Sequence, residues 1–117
     1  MARLFVKAVG PATSVQDAGR FGAQRYGLAP SGAMDPLALA CANTLAGNAA
    51  FAPAIEIGPL NAVFTFQGGP VRVALSGAAR QAAIGSRMVA LNESVLLAEG
   101  EALILSAARG GVFSYLA

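Results

Sequence analysis

Glycine and proline punctuate this chain too often for a long helix to form over most of it. From residue 58 onward, breaks fall at Gly58-Pro59, Gly68-Gly69-Pro70, Ser76-Gly77, Gly85-Ser86, Glu99-Gly100-Glu101 and Gly110-Gly111. Glycine relaxes the backbone and proline removes a donor, so each break ends whatever precedes it. The runs between breaks are short and apolar. The clearest alternates, with Leu60, Ala62, Phe64 and Phe66 on one side and Asn61, Val63, Thr65 and Gln67 on the other. A period of two marks a strand. Fourteen glycines and six prolines in 117 residues therefore predict a mainly β chain, an all-β barrel or sandwich with one helix. The length is that of a single domain, residues 1–117, large enough to bury a core without staples.

Strands are expected over 3–9, with 13–15 as a short continuation, and over 54–57, 60–67, 71–75, 95–97, 102–105 and 112–116. A hairpin is expected from 81–84 and 87–91, and a turn at Ser76-Gly77. The helix is expected over about residues 36–46. Asp35 is placed to cap it, Pro36 fits its first position, and Gly47 suits its C-terminal end. Leu37, Ala40, Cys41, Thr44 and Leu45 share a face at helical spacing, and Met34 with Leu39 has the spacing of a hydrophobic staple. Asn43 lies off that stripe, where its amide can reach back to the preceding loop. Residues 16–27 hold three glycines, two arginines, an aspartate and two glutamines without a period. They read as a loop long enough to be functional.

Charge narrows the function classes. Only 12% of residues are charged and 56% are hydrophobic, against about 25% charged in an average soluble domain. That shortage has two readings, a surface partly covered by a partner or a second domain, or simply an alanine-rich and bland chain; the apolar strands favour the first. The net charge is +2 and the basic residues are scattered, which argues against nucleic acid. Cys41 is the single cysteine and there is no histidine. An internal disulfide is excluded, the usual zinc sets are absent, and a reducing, cytoplasmic setting is the simplest expectation. No stretch reads as a signal peptide or a membrane span.

Few residues offer chemistry. Glu56 is the only charge between Asp35 and Arg72, flanked by Ile55 and Ile57. It faces solvent, pairs with an arginine, or works as an acid or base. Pleating sets it opposite both isoleucines, so exposure is the plain expectation. Asp17 and Arg20 pair with each other, or Arg20 clamps an anion. Ser31 has no histidine to activate it, which excludes a Ser-His-Asp triad within the chain. Residues 19–27 match neither a dinucleotide fingerprint nor a phosphate loop. The residues alone lead to a mostly β domain with a polar loop-and-helix site and no identified catalytic group.

Several blocks add a resemblance. Thr13 to Arg20, Gly27, Pro30 to Asp35, Ala42 to Asn48, Ile55-Glu56-Ile57, Gly58-Pro59, Ser76-Gly77-Ala78 and Gly111 to Ala117 closely resemble the biotin-dependent carboxyltransferase family. That family includes the urea amidolyase carboxyltransferase domain, one of the subunits of bacterial 5-oxoprolinase, allophanate hydrolase subunit 2 and KipA-type proteins. Ser14 and Leu28 are mild departures. The resemblance implies a cyclophilin-like β-barrel matching the N-terminal half of a two-half subunit, with a related half expected beyond Ala117. It implies carboxyl transfer from carboxybiotin to a urea-like nitrogen, or ATP-dependent opening of 5-oxoproline. Biotin or ATP would belong to the complete enzyme rather than to this chain. The partner implied is a second half, or a KipI-like subunit of the same enzyme. A homo-oligomer is also expected for the chain alone. Gln16, Asp17, Arg20, Ser31, Gly32, Asp35, Asn43 and Glu56 are the residues expected to bind substrate or partner. Backbone N–H groups at the helix start are expected to hold a carboxylate or oxyanion. The alternative is a non-catalytic module that regulates a partner, as KipA-type proteins suggest.

Overall fold

The computed structural model describes residues 3–17, Gly19 and 32–117. The strands are β1 (Arg3–Ala8), β2 (Ser14–Gln16), β3 (Ala54–Ile57), β4 (Ala62–Gln67), β5 (Val71–Ala79), β6 (Ala82–Ile84), β7 (Arg87–Val89), β8 (Ser94–Leu97), β9 (Ala102–Leu105) and β10 (Gly110–Leu116), with helix α1 (Pro36–Ala46) between β2 and β3. The pairings among these strands are antiparallel. One five-stranded sheet runs β1-β4-β9-β6-β7 and the other β2-β3-β10-β5-β8. The mainly β expectation holds, with one helix among the described residues. The segment from Thr13 does not continue β1: Ser14–Gln16 pairs with β3 in the second sheet.

The alternation read in β4 is the device that builds the core. Ala62, Phe64 and Phe66 face Ile57, Val73, Leu75, Leu97 and Leu116 of the other sheet, joined by Ala82, Ile84, Leu103 and Leu105. Leu60 lies outside the strand and is exposed. The second sheet is covered on its other face as well, where Ala54 and Tyr115 pack against Ala38, Leu39 and Ala42 of the helix. The helix therefore buries a different stripe from the expected one, and Leu37 is 81% exposed. Its ends form as anticipated: Ala38 N–H donates to the Asp35 carboxylate at 3.1 Å, and Gly47 takes a left-handed conformation. Met34 stays 72% exposed while Leu39 is fully buried, so a staple is not what closes this cap. No helix is long and apolar enough to cross a membrane among the described residues.

Ser76-Gly77 is not a turn. β5 runs straight through it to Ala79, and Gly77 sits at φ 105°, where its pairing with β10 slips between Gly110 and Ser114. A Cβ on Gly77 would lie 2.7 Å from the Phe113 carbonyl oxygen. The glycine permits a bulge and a close approach of two strands, not a reversal.

Arg80 fastens the end of this bulge. Its side chain is buried and meets no carboxylate among the described residues. Nε donates to Ser114 Oγ at 2.8 Å, Nη1 to the carbonyls of Leu60 and Ser106, and Nη2 to those of Gly58, Val112 and Ile57. Burial pushes this guanidinium below its usual value. Carbonyl dipoles replace the water it has lost. Arg80→Met should cost about 3 kcal/mol or more, since several buried acceptors lose their donors together. Arg80→Lys should recover only part of that, because an ammonium cannot span the same acceptors. Urea unfolding measures both, and a Lys variant as stable as the parent would show that the fork is unimportant. Gly77→Ala should be clearly more damaging than Gly47→Ala, which has the same left-handed strain but open space around it.

Candidate functional site

Glu56 and Tyr115 are direct cross-strand partners in β3 and β10, so their side chains leave the second sheet on the same face. Pleating does set Glu56 opposite Ile55 and Ile57. That face, however, is covered by the helix and its entry, and Glu56 is only 4% exposed. The expectation of solvent exposure fails for this reason. No arginine among the described residues pairs with it either. Tyr115 O–H donates to Glu56 Oε2 at 2.6 Å, and Met34 N–H donates to the same oxygen at 2.8 Å. Asp35 N–H in turn donates to the Tyr115 hydroxyl oxygen at 2.8 Å. A buried carboxylate is thus held by a phenol and an amide, both anchored in the fold.

The effect is to fix the turn that starts the helix. Gly32 takes φ 117°, Ala33 N–H donates to the Asp17 carbonyl at 2.9 Å, and the next two amides are taken by Glu56 and Tyr115. These N–H groups are therefore not free to hold an external carboxylate or oxyanion. Glu56, carried on a neighbouring strand, occupies that role itself. Burial raises the Tyr115 phenol well above its ordinary value of 10.0, and the hydrogen bond to Glu56 raises it further.

The other expected residues divide. Asp17 Oδ1 accepts from Gly19 N–H at 2.8 Å, which shapes its own turn, and Gln16 donates to Ser14 Oγ at 2.9 Å. Asn43 is fully buried but reaches forward, not back: its amide donates to the carbonyls of Ala50 and Ala52. It fastens the chain leading into β3 and does not approach the turn. Arg20 and Ser31 lie outside the described residues. Sequence reasoning missed Tyr115 as a member of the site. The sequence signal was a lone aromatic hydroxyl in an apolar closing strand, which needs a polar partner once buried.

Beside the turn lies an open pocket of about 560 Å³. Met34 and Asp35 form one wall. Gly77, Ala78 and the segment from Gly110 to Phe113 form the other, where the pairing of β5 with β10 slips. Asp35 supplies the charge in this lining. One of its oxygens caps the helix. The pocket thus offers a carboxylate, peptide groups around its glycines, and the apolar side chains of Met34, Ala78, Val112 and Phe113. Among the described residues no three His, Cys, Asp or Glu side chains cluster to hold a metal.

The sequence matches the family model described as carboxyltransferase domain, subdomain A and B, over residues 26–117. It is 39% identical over 107 residues to a 5-oxoprolinase subunit of Escherichia coli, an alignment covering 90% of this chain and 34% of that protein. It is 33% identical over 113 residues to the urea amidolyase of Lachancea kluyveri, covering 96% of this chain and 6% of that one. The solved K. lactis urea amidolyase superposes with a TM-score of 0.90 at 33% identity, over 97% of this chain and 7% of that structure. The chain spans about a third of the length of the 5-oxoprolinase subunits it matches.

Two predictions rest on the Glu56 geometry. Both donors address one oxygen, so Glu56→Gln should keep them and cost about 1 kcal/mol, whereas Glu56→Ala should cost about 3. Equal losses in urea unfolding would contradict this. Tyr115→Phe supplies the pH test. The folded phenol keeps its proton where the unfolded one releases it, so the contribution is complete below about pH 10 and is lost as pH rises towards the raised folded value. The stability gap between parent and Tyr115→Phe should therefore narrow above pH 10, and a constant gap would exclude the linkage.

Proposed function

We propose a function from the premise that this chain belongs to the carboxyltransferase domain family, subdomains A and B. In this reading it is a carboxyltransferase-like portion of a 5-oxoprolinase or urea amidolyase-type enzyme, and it forms one wall of a site for a small amide- or urea-like substrate. The observation that carries this reading is the rigid turn at 32–35, held by Glu56 and Tyr115, which sets Asp35 at the rim of the pocket.

The pocket chemistry suits a neutral, N–H-bearing molecule. The Asp35 oxygen that has no partner among the described residues accepts a substrate N–H, and backbone groups of 110–113 align the amide plane. A carboxylate ligand is disfavoured, because the described lining holds an anion and no cation. The described residues thus do not fit the anionic group of carboxybiotin. Nor do they form a phosphate cradle for ATP, since the amides of Met34 and Asp35 are already taken. Those groups would be held by other parts of the assembled enzyme, and the part played by these residues is to position the acceptor. Tyr115, with its raised pKa, acts as a neutral hydrogen-bonding strut and is not a base.

The test is 5-oxoproline-dependent ATP hydrolysis, and urea-dependent bicarbonate fixation, by the complete enzyme with and without its partner subunits. Asp35→Asn keeps the cap and removes the charge. It should leave stability within about 0.5 kcal/mol of the parent while lowering kcat/KM about tenfold or more. Near-normal activity in that variant would remove Asp35 from substrate binding. No turnover in any combination, together with tight partner binding, would favour a regulatory module instead.

A further inference from the structure

Among the described residues the two sheets do not close on one another along β1 and β2. β1 ends the first sheet and β2 the second. Leu4 and Val6 stand across from Phe66 and Phe64, and cross-strand partners share a face. Phe64 and Phe66 are fully buried, yet Leu4 and Val6 are 41% and 55% exposed on that same inward face. Val15 of β2 is 69% exposed. Between the two strands runs a groove of about 370 Å³ whose floor includes Ile55, Phe66, Val73 and Leu116.

The rim of this groove is cationic. Arg3 and Arg72 line it. Arg72 donates one N–H to Ser94 Oγ at 2.9 Å. The ion pair among the described residues is Arg87 with Glu101, so neither rim arginine has a carboxylate partner there. Glu99 shares a neighbouring hollow with Arg3 but accepts from Gly68 N–H at 3.2 Å. β4 is the only strand paired with β1 among the described residues, which leaves a row of backbone donors and acceptors along its other edge. Lys7 lies on the same strand. A second copy of this chain is a poor occupant, because β1 against β1 would bring Arg3 and Lys7 to a rim that is already positive.

We propose that the β1–β2 seam is a docking site for one extended, acidic and apolar segment of a partner protein chain. The segment adds to β1 as an antiparallel or parallel strand, seats alternate apolar side chains in the groove, and sets carboxylates against Arg3 and Arg72. Main-chain bonds supply affinity and the alternate side chains supply selectivity. The surface lies apart from the Asp35 pocket, and its occupant does not depend on the identity of the substrate.

The experiment titrates the 117-residue chain with three capped hexapeptides, followed by backbone amide NMR. The first alternates valine and glutamate, the second alternates valine and lysine, and the third is the glutamate peptide N-methylated at alternate amides. The glutamate peptide should shift the amides of residues 3–8 and 71–73 in a saturable way. The lysine and N-methylated peptides should bind about tenfold more weakly, as should the glutamate peptide to an R3E/R72E variant with an unchanged melt. Equal affinity for all three peptides would overturn the proposal, as would no shift in β1. A concentration-dependent dimer with β1 amides protected before any peptide is added would assign the seam to a second copy and also overturn it.

Discussion

A carboxylate with no cation beside it among the described residues stays buried only where fixed donors replace the water it has lost. Glu56 meets that condition with the Tyr115 hydroxyl and the Met34 amide, both on a single oxygen. The requirement is mutual. Tyr115 is buried against the helix and needs an acceptor, and the amides of Met34 and Asp35 precede a helix that cannot satisfy them internally. One cross-strand pair therefore joins β3, β10 and the helix entry. The position of Asp35 at the pocket follows from it, because the turn has little freedom once two successive amides are pinned.

Arg80 resolves the opposite charge by the same physics elsewhere. The buried cation is spread over carbonyls at the strand ends, and the buried anion is spread over a phenol and an amide. The two do not pair. Each instead fastens a place where regular hydrogen bonding stops: Arg80 at the slipped ladder between β5 and β10, Glu56 at the helix start. The pocket lies between these irregular places, walled by the turn on one side and the bulge on the other. Gly77 is what lets β5 and β10 approach closely within the bulge wall, since a side chain there would collide with the Phe113 carbonyl.

The fold was largely legible because its signals are local. Alternation in β4, the Gly85-Ser86 hairpin, the Asp35-Pro36 helix start and the Gly47 stop each act within a few residues. What escaped depended on partners distant in sequence. Alternation placed Glu56 on the face away from the isoleucines but could not tell that a helix covers that face. The same gap led the helix stripe astray: Leu37 and Thr44 lie on the outer side, while Asn43 is buried because it must bind carbonyls of the following loop. A Ser-Gly pair reads as a turn until the strand beyond it is seen to continue. Of the residues around the turn, the sequence reading named Asp35, Gly32 and Glu56, with Glu56 expected in solvent and not under the helix. Tyr115, at the other end of the chain, was visible only once β10 was paired with β3.

With two successive amides pinned by Glu56 and Tyr115, the helix entry should be held as firmly as the core itself. Native-state hydrogen exchange of the Met34 and Asp35 amides tests it directly. Both amides are predicted to exchange only through global unfolding, with the same free energy as amides in the middle of β10. Exchange through a local opening at a much lower free energy, while β10 stays protected, would mean that the turn moves independently of the buried pair and that Glu56 and Tyr115 do not lock it.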